Sequence, residues 1–251
     1  MNLTSAPTPS PNPTVSAPQA VRPPRTYKYY DLIMASFVTV LLCSNLIGVT
    51  KSVTLHFSGH EFTFGAGILF FPISYLFGDI LTEVYGYARS RKVVWAGFGA
   101  LAYASLVAAV VVNLPPAAEY RDQHHLSAIF GSTWRLALSS LIGYSVGEFA
   151  NSMTLAKLKV LTEGRWLWLR FVLSTVVGEA FDTLVFYPLA FFGSWDNSLL
   201  VKVMMANYAL KVSWEILATP LTYKIVAFLK KQENEDYYDR DTDFTPFSLK
   251  T

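Results

Sequence analysis

Residues 70–87 read FFPISYLFGDILTEVYGY, an apolar and aromatic run that carries two carboxylates, Asp79 and Glu83, one helical turn apart. A carboxylate near the centre of a bilayer costs roughly 2.5–3.5 kcal/mol on insertion scales, so acids in such a run face a bundle interior or a wet cavity and mark a site or a pathway. Six acids lie in segments of this kind: Asp79, Glu83, Glu148, Glu179, Asp182 and Glu215. The composition agrees with a membrane setting. Of the 251 residues 52% are hydrophobic and only 15% charged, too apolar for an ordinary soluble domain.

Outward from that run, six stretches are long enough to cross about 30 Å as helices. They are Tyr30 to Thr50, Gly65 to Tyr87, Val93 to Asn113, Leu136 to Leu155, Phe171 to Phe192 and Val203 to Leu229. The expected fold is therefore an all-α polytopic membrane protein with six transmembrane helices over residues 27–231. Continuous apolarity, with no ten-residue alternation, excludes a closed barrel. Residues 1–26, rich in Pro, Ser and Thr, read as a disordered arm, and residues 232–251 as an acidic, solvated tail. Lys and Arg fix the orientation. With both termini cytoplasmic, thirteen basic residues fall on the inside, among them Arg22, Arg89, Arg91, Lys159, Arg170 and Lys230, against Lys51, Arg121, Arg135 and Lys202 outside.

A faint repeat links the halves. Asn45 precedes Lys51 as Asn151 precedes Lys157, and Gly78-Asp79 with Glu83 is echoed by Gly178-Glu179 with Asp182. Three spans per half would make the repeat inverted, with a site near the midplane.

Helical spacing gathers the polar groups into stripes. Asp79 and Glu83 share a face with Tyr75; Tyr144, Glu148 and Asn151 form a second; Glu179 and Asp182 a third; Asn207, Lys211 and Glu215 a fourth; and Ser44 and Asn45 add to the first span. Each has a plainer reading. Lys211 can pair with Glu215 on its own helix or with an acid on a neighbour, Asn45 and Asn151 can serve as interhelical glue, and Glu83 can pair with Arg89 or Arg91. Six acids against one intramembrane base cannot all be paired. Pro72 is expected to kink the second span, and Trp and Tyr near the span ends to act as interfacial anchors.

Other function classes fall away. The net charge of +2 is small and the basic residues sit in short loops, so nucleic acid is excluded as a partner. The chain has neither a phosphate-binding G-x-x-x-x-G-K-[ST] nor a G-x-S-x-G elbow, and Cys43 is the one cysteine. His56, His60, His124 and His125 lack a metal-site pattern, so neither metal nor cofactor is expected. A small acid-lined bundle remains, partnered by the lipid bilayer and a small molecule.

The run from Phe71 to Tyr87, followed by Arg89, Arg91, Lys92 and Val94-Trp95-Ala96-Gly97-Phe98, resembles the signature of the queuosine-precursor transporters, small bacterial inner-membrane proteins. Ser44-Asn45 with Lys51, Gly147-Glu148 with Asn151, and Gly178-Glu179 with Asp182 look similar too. The resemblance covers roughly Tyr30 to Lys230. It implies import of 7-deazaguanine precursors of a tRNA base, the 7-cyano and 7-aminomethyl forms, for salvage, and no enzymatic activity. The candidate substrate-binding residues are Asn45, Tyr75, Asp79, Glu83, Glu148, Asn151, Glu179, Asp182, Lys211 and Glu215, with Asp79, Glu148 and Glu179 foremost. Two rivals are the membrane-embedded binding subunit of an ATP-driven vitamin-type importer and an intramembrane enzyme using its carboxylates as acid and base.

Overall fold

Apolar runs of this length satisfy their backbone polar groups internally, and a helix does so within one segment. The computed structural model describes residues 26–48, 51–57, 60–131, 134–194 and 196–248; of the N-terminal arm only Thr26 falls within them. The regular secondary structure of the described residues is helical apart from one hairpin. In order it forms α1 (Tyr30–Leu42), continued by a wider π-type turn (Cys43–Ile47), then β1 (Ser52–Phe57) and β2 (His60–Gly65). There follow a short 3-10 turn (Ala66–Leu69), α2 (Phe71–Tyr85), α3 (Tyr87–Asn113), α4 (Gln123–Phe130), α5 (Trp134–Leu161), α6 (Leu167–Phe191) and α7 (Asn197–Glu233).

Each of the six expected helical stretches contains a helix, but the boundaries of α2 and α3 differ for physical reasons. The antiparallel hairpin, which pairs Ser52 with Gly65 and Phe57 with His60, ends where the second stretch begins, and the 3-10 turn at Ala66–Leu69 and the break at Gly86 leave α2 with only 15 residues. Pro72 lies in its first turn, where no backbone N–H is needed, and so starts the helix instead of kinking it. The basic residues Arg89, Arg91 and Lys92, expected in a loop, occupy the first turns of α3. Gly86 makes that sharp junction between α2 and α3 with φ of 86°, and a Cβ there would meet the Tyr237 ring at 2.2 Å. Among the described residues, Tyr87–Asn113 and Leu200–Glu233 are the helices long and apolar enough by themselves to cross a membrane.

Helix α5 is the central post. It meets α6 along a seam of small residues: a Cβ on Gly147 would lie 2.9 Å from the Gly178 carbonyl oxygen, and one on Gly178 would lie 2.6 Å from the Asn151 Cβ. Backbones can come this close only where side chains are absent. The apolar core, including Phe37, Leu41, Leu76, Ile80, Leu81 and Val84, fills the space between α1, α2 and their neighbours.

The acidic segment after α7, which composition marks as a solvated tail, keeps Asp236, Asp241 and Asp243 exposed and is also strapped across one end of the bundle. The Tyr237 N–H donates to the Val84 carbonyl at 3.3 Å, and the Asp239 carboxylate accepts the Tyr87 N–H at 3.1 Å, supplying the cap that the start of α3 lacks. Arg91 donates to the carbonyls of Asp243 and Thr245, both at 2.7 Å, and the Trp95 indole donates to that of Pro246 at 2.7 Å. Composition marks such a run as soluble; it does not reveal the orphaned backbone groups and cations it can satisfy. Asp239 is accordingly buried.

Beneath the strap lies an ion network centred on Glu83, which is fully buried. Arg170 of α6 grips it in a two-point bond, Nη1 to Oε2 at 2.6 Å and Nη2 to Oε1 at 3.2 Å. Lys230 of α7 donates to Oε1 at 2.6 Å, and Lys159 of α5 to the Glu83 backbone carbonyl at 2.6 Å. These partners replace Arg89 and Arg91, the ones suggested by proximity in sequence. Asp236 of the strap bridges Lys159 at 2.5 Å and Lys230 at 2.8 Å. Partial burial alone would raise the Asp236 carboxyl, but the bonds and charges of the two lysines outweigh it and hold it below the usual carboxylate range. For Asp239 burial prevails over its bonds from Thr242 and the Tyr87 N–H, and the carboxyl is pushed up.

Candidate functional site

The remaining acids meet in the interior where α2, α5, α6 and α7 face one another. Glycines set the approach. Gly78 on α2 leaves room for the Glu148 carboxylate, whose Oε1 would lie 1.8 Å from a Cβ at that position, and the next residue, Asp79, accepts a hydrogen bond from Asn151 Nδ2 at 2.7 Å. Glu148 also accepts from the Ser152 hydroxyl at 3.3 Å. Each Gly-acid pair in the sequence thus has one function: the glycine admits the neighbouring helix, and the acid beside it is carried inward.

Lys211 of α7 reaches across to α6. Its ammonium lies 2.9 Å from Glu179 Oε2 and bonds Asp182 Oδ2, so of the two readings of this lysine the neighbouring helix supplies its partners and Glu215 does not. The same ammonium stands 4.5 Å from the centre of the Phe71 ring, within cation–π range. Phe71, Tyr75 and Tyr144 form an aromatic triangle with ring centres 5.5–5.8 Å apart.

Two halves of the cluster differ in kind. Glu179 and Asp182 are neutralised in part by Lys211. Asp79 Oδ2, Glu148 Oε2 and both carboxylate oxygens of Glu215 are buried without a protein donor, as is the Tyr75 hydroxyl. Buried acceptors of this kind are costly and rare unless a ligand, proton or water answers them.

Of the ten residues singled out in the sequence, Asp79, Glu148 and Asn151 are joined by bonds or close approach across α2 and α5. Glu179, Asp182 and Lys211 are joined across α6 and α7. Tyr75 stands beside Asp182, since a Cβ on Gly147 would lie 2.6 Å from the Tyr75 hydroxyl and 2.7 Å from the Asp182 Cβ. Asn45 is engaged elsewhere: it accepts from the Ser140 hydroxyl at 2.8 Å and donates to the Leu41 carbonyl, tying α1 to α5. Glu83 belongs to the ion network under the strap. From sequence Phe71 stands only as the start of a motif and Arg170 only as a basic residue fixing orientation, and neither is given a role beside the acids.

Comparison with known proteins now bears on this geometry. Residues 65–225 match the family described as "Putative vitamin uptake transporter". A probable queuosine precursor transporter of Bacillus subtilis (strain 168) is 31% identical over 205 residues, covering 80% of this chain and 85% of the relative. The queuosine precursor transporter of Escherichia coli (strain K12) is 26% identical over 194 residues, covering 75% of this chain and 82% of that protein. This chain belongs to the queuosine precursor transporter family. It is a transporter, hence a membrane protein, and not an enzyme. No solved structure matches it. The matched region takes in α2, α3, α5, α6 and most of α7, and so every member of the acid cluster of this transporter.

Proposed function

We propose that the chain imports 7-deazaguanine precursors of queuosine, the 7-cyano and 7-aminomethyl forms, across the bacterial inner membrane, and that the acid cluster is where they bind. The observation that carries this reading is the set of buried, donor-free carboxylate oxygens on Asp79, Glu148 and Glu215. A guanine-like edge presents an N1–H and an amino group side by side, and a carboxylate accepts both in a two-point contact. Asn151 holds Asp79 in position from behind, and the rings of Tyr75, Tyr144 and Phe71 supply stacking faces beside the acids.

The transport geometry that suits this site is six spans, α1 to α3 and α5 to α7, as an inverted three-plus-three pair with both termini cytoplasmic. The recurrence of a glycine-acid pair on α2 and α6, the corresponding middle helices of the two halves, supports that plan. The strap and the Glu83 network then close the cytoplasmic end while the acid cluster sits deeper, an arrangement suited to alternating access.

The test is uptake of labelled precursor into cells unable to make their own, with and without this chain. Asp79→Asn, Glu148→Gln, Glu179→Gln and Glu215→Gln, made singly, should each abolish uptake at normal membrane levels. Unchanged uptake in all four removes the site assignment. The family's description in terms of vitamin uptake favours one rival, a binding subunit of an ATP-driven importer. Copurification of an ATPase with the chain would favour that assembly over a self-sufficient carrier.

A further inference from the structure

The acid cluster holds a cation of its own, and the surroundings of that cation are those of a binding site for a primary amine. Lys211 brings its ammonium to two carboxylates of α6, Glu179 at 2.9 Å and Asp182, and to the face of Phe71 at 4.5 Å. Carboxylates with an aromatic face are the recurring means of recognising an alkylammonium. The Tyr75 hydroxyl, on a residue only 1% exposed, reaches the Asp182 side of this group with no bonding partner.

A structural ion pair is the plainer account of Lys211, and three features exceed it. One carboxylate would suffice to neutralise the lysine, yet two converge on it. Glu215, one turn along the same helix and with both oxygens free, would be the local choice, and Lys211 turns away from it. An ion pair also needs no ring, yet the ammonium is seated on one. The occupant is held by a flexible four-carbon stem, so it can leave without movement of the backbone.

We propose that Glu179, Asp182 and the Phe71 ring form an alkylammonium subsite, filled in the resting protein by Lys211, and that Lys211 thereby makes the transporter discriminate against a substrate carrying an aminomethyl cation. The subsite rests on geometry alone; the statement about substrate rests on the function proposed above. A cationic substrate has either to displace Lys211 or to bear its like charge, while a neutral nitrile does neither. Selectivity of this sort comes from the repulsive element as much as from the attractive one.

The purified full-length chain tests the first half. In Lys211→Ala, ethylammonium or butylammonium should raise the melting temperature, whereas sodium or tetramethylammonium at equal ionic strength should not, and the unsubstituted protein should show no such preference. A folded Lys211→Ala protein indifferent to alkylammonium overturns the subsite. Uptake tests the second half. In Lys211→Met the rate for the 7-cyano base relative to the 7-aminomethyl base should fall by at least about tenfold, with Lys211→Arg retaining the original ratio. An unchanged ratio in Lys211→Met overturns the selectivity claim. Should the single variants fail to accumulate, Lys211→Met combined with Asp182→Asn removes one charge of each sign; loss of discrimination there supports the proposal and its retention overturns it. Alkylammonium rescue without uptake of either base by the unsubstituted chain would leave the subsite standing and refute the substrate reading.

Discussion

Gly78→Ala separates the site from the scaffold. An added methyl would lie 1.8 Å from Glu148 Oε1, 2.7 Å from Cδ and 3.1 Å from Oε2, against the 3.4 Å at which ordinary contact begins. All three atoms are the far end of one flexible side chain, so the carboxylate swings away and the helices stay in place. Glu148 loses its bond from Ser152, worth about 0.5–1.5 kcal/mol. Alanine regains roughly 0.5–1 kcal/mol over glycine within a helix, so stability should hardly change. The site, however, loses an acceptor of charge-assisted bonds worth about 1.5–3 kcal/mol, which corresponds to roughly 10–100-fold in substrate affinity. Gly178→Ala makes the contrast, because its methyl meets the Asn151 Cβ at 2.6 Å and the Gly147 backbone oxygen at 2.9 Å. Those atoms cannot step aside, and forcing α5 from α6 should cost about 1–3 kcal/mol. Gly99→Ala, with nothing within 4 Å, is the neutral control. The assay is concentration-dependent uptake of labelled precursor beside quantified membrane protein and melting temperature. Normal uptake by Gly78→Ala, or a loss of protein as severe as that in Gly178→Ala, would refute the reasoning.

Glu83→Gln removes the charge that Arg170, Lys230 and Lys159 surround, and breaking a buried pair from one side typically costs about 3–5 kcal/mol, so the melting temperature and the membrane level should both drop sharply. Asp239→Ala withdraws the cap from the first turn of α3, at about 0.5–2 kcal/mol, and should speed protease cleavage within residues 236–248 while leaving the helices intact. The strap should also respond to acid in a defined order. The raised Asp239 neutralises first as pH falls, which relieves the cost of its burial and does not loosen the strap. The lowered Asp236 contributes fully above its unfolded value near about pH 4, and that contribution is lost as pH falls through its lower folded value. Hydrogen exchange at the Tyr237 amide should therefore accelerate only below about pH 4, and Asp236→Asn should abolish that step.

The helices were legible because apolar length demands them, and the inward acids were legible because lipid makes a charge expensive. Gly78-Asp79, Gly147-Glu148 and Gly178-Glu179 were visible as pairs, although only packing shows that each glycine admits a neighbour. Partners were the illegible part. Local spacing assigned Glu83 to Arg89 or Arg91, whereas Arg170 reaches it from a helix distant in sequence. Pro72 was read by its presence inside an apolar run, and its meaning depended on where the helix begins. The hairpin could have been found: Val53, Leu55 and Phe57, then Phe62 and Phe64, alternate with polar residues on either side of Ser58-Gly59. The strap could not, since an acidic run announces affinity for water and conceals an affinity for particular cations.

The strap follows in the chain every helix that it fastens. Until the residues after α7 are made, Tyr87 has no carboxylate at its amide, and Lys159 lacks Asp236 to complete its network. Assembly of this protein therefore finishes at its last residues, which close a structure whose walls are already in place. A fusion that replaces residues 236–246 would leave that last fastening undone, whereas one appended beyond Thr251 would spare it.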